Sequence, residues 1–116
     1  MFEKELPIFP EISRGGLAIR PIRLLADNYA YLLRDEATGK RAVIDPSEAE
    51  PIRRSLEKEG AALSAVLCTH HHWDHVGGNL ALAEAYGCPV ICSKHDFKRV
   101  PAATGSLADG DIFYLG

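Results

Sequence analysis

The amino-acid sequence predicts an α/β fold, and three observations support this class. Hydrophobic residues make up 47% of the 116 residues and charged residues 25%, which is typical of a soluble globular domain. Segments with the residue types of β-strands alternate along the chain with segments of helical spacing. Two predicted strands flank a helix within about thirty residues, which is the length of a βαβ unit with parallel strands.

The first part of the chain is expected to form a hairpin. Residues 1–16 are predicted to be an irregular leader, because this segment is rich in proline and glycine. Branched and aromatic residues predict strands over residues 17–25 and 29–34. The polar segment 35–40 predicts a turn, and residues 41–45 predict the returning strand of the hairpin.

A helix is expected next, because its start and its end both have recognisable signals. Ser47 and Glu50 have the spacing of a capping box, in which each side chain bonds a backbone amide at the helix start. Ile52 and Leu56 are four residues apart and share one face of the helix. Gly60 is the expected end of the helix.

The second half of the chain continues the alternation. We expect a buried strand over residues 63–68 and a helix over residues 79–86, with Leu80, Ala83 and Tyr86 facing inward. A further strand is expected to begin at Pro89 and to run to Cys92, and a turn at 109–111 leads into an apolar strand over residues 112–115. The length of the chain and these elements fit no more than one domain.

Composition and charge exclude several classes of function. The net charge of −3 gives no basic surface for nucleic acid or for an anionic membrane. The apolar runs are too short to span a bilayer, and the N-terminus lacks the apolar core of a signal peptide, so we expect a cytoplasmic protein. The odd count of cysteines argues against a disulfide framework, and Cys88 and Cys92 are expected to be small buried side chains.

Four of the five histidines lie in one short segment, Thr69-His70-His71-His72-Trp73-Asp74-His75. Imidazole nitrogens and carboxylate oxygens are ligands of first-row metals. In extended backbone, His70, His72 and Asp74 point to one side, and His75 adds a further donor. The segment follows a predicted strand at its carboxyl end, where open α/β sheets place their ligands. The sequence therefore predicts a metal site, with two metals close together that activate a shared water.

The same segment resembles the T-H-x-H-x-D-H signature of the metallo-β-lactamase superfamily. With Val76-Gly77-Gly78-Asn79 added, it is similar to the form found in hydroxyacylglutathione hydrolases, the glyoxalase II enzymes. Asp27-Asn28-Tyr29-Ala30-Tyr31-Leu32 and Val43-Ile44-Asp45-Pro46 resemble two further strand segments of that family. The resemblance runs from about residue 20 to the C-terminus. It implies that residues 17–116 are the N-terminal part of a metallo-β-lactamase-like domain, which is half of an αββα sandwich.

The resemblance also implies roles for individual residues. His70 and His72 would bind a first metal, and Asp74 and His75 a second, with Asp74 also orienting the attacking hydroxide. Three further residues, His71, Trp73 and Asp45, would support the implied site. Asp45 has the alternative interpretation of a plain turn residue before proline.

Two polar residues downstream of the signature are not assigned to the site. His95 is expected to be a surface side chain and Asp111 a turn residue, so the histidine and aspartate ligands that complete the family's site are expected beyond this sequence.

The function implied by the resemblance is metal-dependent hydrolysis of a small-molecule thioester, S-lactoylglutathione, to D-lactate and glutathione. Zn²⁺ is the expected cofactor, with up to two ions in a complete site, and iron or manganese is the alternative. Other hypotheses are a non-catalytic truncated metal-binding domain and a persulfide dioxygenase-like or other hydrolase of the same fold. The expected partner is a second copy of the chain or a missing C-terminal half.

Overall fold

A single mixed sheet with two helices makes up the fold. The computed structural model describes residues 10–25, 28–70 and 76–116. Within them seven strands lie side by side in chain order: β1 Ile12–Arg14, β2 Leu17–Leu24, β3 Asn28–Asp35, β4 Arg41–Ile44, β5 Ala65–Leu67, β6 Val90–Ser93 and β7 Gly105–Leu107. The helices are α1 Glu50–Glu59 and α2 Asn79–Tyr86, and a short 3-10 helix spans Lys94–Asp96.

Antiparallel pairing joins the first four strands. β2 pairs with β3 along its whole length, and the predicted hairpin of β3 and β4 is confirmed, with Leu32 opposite Val43. The expectation of an irregular segment before residue 17 is wrong for β1, which pairs with the start of β2. Gly15 and Gly16 form the two-residue turn between these strands with φ angles of 60° and 87°, which glycine adopts without strain. Residues 1–9 of the predicted leader lie outside the described residues.

Parallel pairing joins the last four strands. β4 and β5 are parallel neighbours on either side of α1, as the predicted βαβ unit requires. β6 and β7 extend the parallel part of the sheet. The carboxyl ends of these strands therefore lie along one edge of the sheet, where the chain after β5 continues into the histidine-rich segment.

Both helices pack on the same face of the sheet. Ile52 and Leu56 of α1 are fully buried, as predicted, and they belong to one core cluster with Val43 and Val66 of the sheet. Burying a side chain of this kind stabilises a fold by about 1.5–3 kcal/mol. Gly60 ends α1 in a left-handed conformation with φ of 63°, which confirms the predicted helix end.

The buried face of α2 differs from the predicted one. Leu82 is fully buried, whereas Leu80 is 56% exposed, so the prediction that Leu80 faces inward is wrong. Asn79 is fully buried, and Ala83 and Tyr86 pack partly against the core. These four residues have the i, i+3, i+4, i+7 spacing of one helical stripe, and Leu80 lies about 100° from Asn79 around the helix.

The predicted capping box of α1 is also wrong. The N-cap is Ala49, and no side chain caps the first turn. Ser47 lies in the turn after β4, where it is buried, and its hydroxyl has no hydrogen-bond partner within the described residues. The helix begins too late for this box because Ser47 belongs to the turn that starts at Asp45, whose φ is 54°.

The end of the sheet differs as well. Residues 112–115 form no strand, and Ile112 and Tyr114 are 69% and 78% exposed. The seventh strand is β7, which sequence patterns missed because Gly-Ser-Leu has little β propensity. Pairing with β6 makes β7 a strand, whereas the apolar residues 112–115 have no neighbouring strand within the described residues.

Candidate metal site at the carboxyl edge of the sheet

The candidate site begins where β5 ends. Cys68, Thr69 and His70 follow this strand directly and are described. The other predicted site residues of the signature lie outside the described residues: His71, His72, Trp73, Asp74 and His75. Asp27 of the resembling strand segment lies outside them too. Within the described residues, the site therefore consists of His70 and the residues that hold the two ends of this segment.

Asp45 holds the start of the segment. It follows β4, the neighbour of β5, and its side chain is only 7% exposed. One carboxylate oxygen accepts a hydrogen bond from the Thr69 backbone N–H at 2.8 Å, and the other accepts from the Thr69 hydroxyl at 2.5 Å. The Asp45 N–H donates to the carbonyl of Leu67 at 2.9 Å, which ties the two strand ends together.

The left-handed backbone of Asp45, with φ of 54°, turns the carboxylate toward Thr69. Aspartate tolerates this conformation better than most residues. Asp45 is thus both a turn residue and a buried anchor, and its two sequence interpretations are compatible. It reaches His70 through Thr69, because the Thr69 hydroxyl oxygen also lies 2.9 Å from Nδ1 of His70.

Pro46 holds the far end of the segment. Its carbonyl accepts a hydrogen bond of 2.7 Å from the N–H of Gly78, which is the N-cap of α2. A Cβ atom at Gly78 would lie 2.6 Å from that carbonyl oxygen and 2.9 Å from the nitrogen of Ala49. Only glycine fits this close approach of two backbone segments. Consecutive residues Asp45 and Pro46 therefore hold both ends of the histidine-rich segment.

A buried side-chain contact joins the flanks a second time. Asn79 donates from Nδ2 to the sulfur of Cys68 at 3.1 Å and to the carbonyl of Pro101 at 3.3 Å. Burial raises the pKa of the Cys68 thiol to about 11, although the Asn79 contact acts in the opposite direction. Cys68 therefore stays a protonated thiol near neutral pH. Sequence reasoning missed Thr69, Gly78 and Asn79 as structural supports of the site, and the Gly-Gly pair before a predicted helix was the available signal.

The remaining candidates lie outside the histidine-rich segment. His95 is exposed on the 3-10 helix, as predicted for a surface side chain. Asp111 is a turn residue, as predicted, since its carboxylate accepts from the N–H of Ala108 at 2.8 Å. The predicted burial of Cys88 and Cys92 is confirmed, and burial raises the pKa of both thiols.

A cleft of about 1210 Å³ lies against the ends of β5, β6 and β7. Cys68, two residues before His70, contributes to its lining, and apolar side chains of β5 and β6 form much of its wall. Lys94, Lys98 and Arg99 line it as well, against one acidic residue, Asp109. Within the described residues, none of these three cations forms an ion pair. The cleft is therefore locally basic on a chain of net negative charge.

The described part of the chain contains no group of three or more metal-binding side chains. This result covers His70 but none of residues 71–75, so it leaves the predicted ligand set as a prediction. In the same part of the chain, no helix has both the length and the apolar character to cross a membrane.

Comparison with protein families decides the relationship of this chain to known proteins. The model described as metallo-beta-lactamase superfamily matches residues 25–108, which include Asp45, the whole signature and Gly78. The chain belongs to this superfamily. The predicted α/β class and the family resemblance are thereby confirmed.

Two relatives within the superfamily carry the same name. A Methylococcus capsulatus protein named hydroxyacylglutathione hydrolase is 46% identical over 100 residues, which are 86% of this chain and 39% of that protein. A Pelagibacter ubique protein of the same name is 47% identical over 98 residues, covering 84% of this chain and 41% of the relative. The chain thus spans about two fifths of the length of these relatives, and the match covers their N-terminal portion.

A solved structure of the superfamily shows the same fold. The crystal structure of ETHE1 from Myxococcus xanthus superposes with a TM-score of 0.71 at 29% identity, and the match covers 84% of this chain and 44% of that one. The sheet and helices of this chain therefore correspond to one part of a larger metallo-β-lactamase fold.

Proposed function

We propose that this chain carries part of the active site of a metal-dependent thioester hydrolase of the hydroxyacylglutathione hydrolase type. The observation that carries the proposal is the signature segment 69–75, which lies inside the family match and follows β5 at the carboxyl edge of the sheet. The names of relatives at 46% and 47% identity support the thioesterase reaction over other reactions of the superfamily.

The chemistry of the donor set fits a first-row metal. Three imidazoles and one carboxylate are the donors that we assign, with His70 and His72 for a first metal and Asp74 and His75 for a second. The arrangement around His70 supports this assignment, because the contact of Thr69 with Nδ1 orients the imidazole ring. Zn²⁺ is our proposed ion, with up to two in a complete site, and iron or manganese is the alternative.

A metal bound there would polarise the thioester carbonyl and supply a water nucleophile at neutral pH. The protein's own residues position this chemistry. Asp45 holds the backbone and the hydroxyl of Thr69, which in turn contacts the ring of His70. Asp74 is our candidate for orienting the attacking water, with His71 and Trp73 as supporting residues.

The basic cleft supports an anionic substrate. S-lactoylglutathione carries carboxylates on its peptide part, and Lys94, Lys98 and Arg99 place three cations along the cleft that Cys68 also lines. The apolar wall of the cleft suits the uncharged remainder of such a ligand. The proposed reaction adds water to the thioester and releases D-lactate and glutathione.

The proposed location is cytoplasmic. Tyr29 and Tyr31 are exposed on the face of the sheet opposite the helices. These exposed aromatic side chains support the proposal that a protein partner packs on this face. A second copy of the chain or a C-terminal half of the fold is the proposed occupant of that face.

The test is hydrolysis of S-lactoylglutathione, followed by the loss of thioester absorbance, on protein loaded with Zn²⁺. We expect turnover by the complete fold that stops on metal removal, returns on readdition and is abolished in His72→Ala, whereas residues 1–116 alone are expected to bind metal with little or no turnover. Lys58→Ala is the matched control, since Lys58 is exposed on α1 and lies outside both the signature and the cleft, and it should retain turnover. Metal binding with no turnover by the complete fold would favour the alternative of a non-catalytic metal-binding domain.

A further inference from the structure

The Thr69 hydroxyl lies between a carboxylate and an imidazole. Its oxygen is 2.5 Å from Oδ2 of Asp45 and 2.9 Å from Nδ1 of His70. The Thr69 N–H donates to the other carboxylate oxygen at 2.8 Å. One residue is therefore held by both of its polar groups on a single buried carboxylate, and it contacts the first candidate metal ligand at the same time.

The protons available along these contacts determine the tautomer of His70. An ionised carboxylate only accepts hydrogen bonds, so the single hydroxyl hydrogen of Thr69 points to Asp45. The hydroxyl oxygen then has only lone pairs left for His70. A hydrogen bond at 2.9 Å therefore requires that Nδ1 of His70 carries the proton and donates it.

We propose that Thr69 is a positioning residue that fixes His70 in the tautomer with its proton on Nδ1, so that Nε2 offers the lone pair. This inference rests on the proposed function only for its purpose, which is to present Nε2 to a metal. The tautomer itself is a property of the metal-free chain. The hydrogen bond from Nδ1–H also fixes the plane of the ring and raises the basicity of Nε2.

The carboxylate of Asp45 determines the direction of the whole relay. In Asp45→Asn, the amide oxygen must still face the Thr69 N–H, so the amide NH₂ group faces the hydroxyl. The hydroxyl then accepts from Asn and donates to Nδ1 of His70, which moves the ring proton to Nε2. Asparagine tolerates the left-handed backbone of this position, so the substitution reverses the relay without straining the turn.

The experiment reads the tautomer directly, by long-range proton–nitrogen NMR correlation of the metal-free protein under conditions in which its histidines are neutral. His70→Ala identifies the resonances of His70. We expect the Nδ1–H pattern in the wild type and in Thr69→Ser, which keeps the hydroxyl. We expect loss of that preference in Thr69→Val, which keeps the shape, and the Nε2–H pattern in Asp45→Asn.

Zn²⁺ affinity, measured by competition with a chromophoric chelator, is the second readout. Thr69→Val and Asp45→Asn should weaken binding by about 10- to 100-fold, and Thr69→Ser should stay close to the wild type. A merely structural role for Thr69 would lower the midpoint of thermal unfolding of Thr69→Val and leave the His70 tautomer unchanged.

The proposal is overturned if metal-free wild-type His70 carries its proton on Nε2, or if Thr69→Val and Asp45→Asn both keep the wild-type tautomer. The expected tautomers in a chain that binds no Zn²⁺ would instead support the relay and count against the proposed function. The failures of the two proposals are thus distinguishable.

Discussion

Replacing Gly78 by alanine should strongly destabilise the protein and weaken its metal binding. The added Cβ would lie 2.6 Å from the carbonyl oxygen of Pro46, about 0.8 Å inside the 3.4 Å at which ordinary contacts begin. The neighbouring atoms belong to the backbones of Pro46, Glu48 and Ala49, so no side chain can rotate away. Relief requires that α2 moves from the turn after β4, which lengthens the 2.7 Å hydrogen bond between Gly78 and Pro46.

The magnitude follows from these two costs. Overpacking of this kind costs about 1–3 kcal/mol, and loss of a hydrogen bond costs about 0.5–1.5 kcal/mol. Alanine gains nothing at this position, because Gly78 is an N-cap, where glycine is preferred to alanine. We therefore expect the free energy of unfolding to fall by about 2–4 kcal/mol. Zn²⁺ affinity should fall with it, since the substitution displaces one end of the histidine-rich segment.

Urea denaturation followed by circular dichroism measures the loss of stability. Gly105→Ala is the matched control, because a Cβ there meets only Cγ1 of Ile91, at an ordinary 3.5 Å, and its φ is not in the left-handed region. The control should cost less than about 1 kcal/mol. A Gly78→Ala variant as stable as Gly105→Ala would refute the close approach of Gly78 to Pro46.

Three further predictions concern the core, a buried thiol and the cleft. Leu82→Ala should lower the free energy of unfolding by about 2–5 kcal/mol, because Leu82 is fully buried, as measured by urea denaturation. Leu80→Ala, at an exposed position, should lower it by less than about 0.5 kcal/mol. Equal effects of the two substitutions would contradict the observed buried face of α2. Because burial raises the pKa of Cys68 from 9.0 to about 11, its contribution to stability should be full below pH 9 and lost as the pH rises toward 11. The midpoint of thermal unfolding of the wild type should therefore fall by more than that of Cys68→Ala as the pH rises from 9.0 toward 11. Equal falls in the two proteins would contradict the raised pKa of Cys68. Lys98→Glu should raise the KM for S-lactoylglutathione at low salt by about 2- to 6-fold and leave kcat unchanged, because Lys98 lines the cleft. The control Lys58→Glu, at an exposed position on α1, should leave the KM unchanged. An equal rise in KM in both variants would show that only the net charge of the protein matters.

Most of the fold was predictable from the sequence because its signals are local. Branched residues, helical spacing and end glycines placed the β3–β4 hairpin, both helices and the βαβ unit. β7 was missed because its strand character comes from its neighbour β6 and not from Gly105–Leu107 itself. The capping box at Ser47 failed for a similar reason, since the left-handed turn at Asp45 sets where α1 begins.

The candidate metal ligands were predictable from the sequence, but the residues that hold them in place were not. The pattern around His70 indicates metal chemistry directly, because few other uses explain such a density of imidazoles. The roles of Thr69 and Asn79 depend on contacts with Asp45 and Cys68, at sequence separations of 24 and 11 residues. No periodicity or spacing rule encodes such contacts, so they emerge only from the folded chain.

The most direct test of the central claim is the Zn²⁺ content of purified, tag-free protein, measured by elemental analysis for the wild type, His70→Ala and His95→Ala. The claim predicts near-stoichiometric metal in the wild type and in His95→Ala, and a large loss in His70→Ala. Equal metal in all three proteins, or none in the wild type after loading with Zn²⁺, iron or manganese, would contradict it.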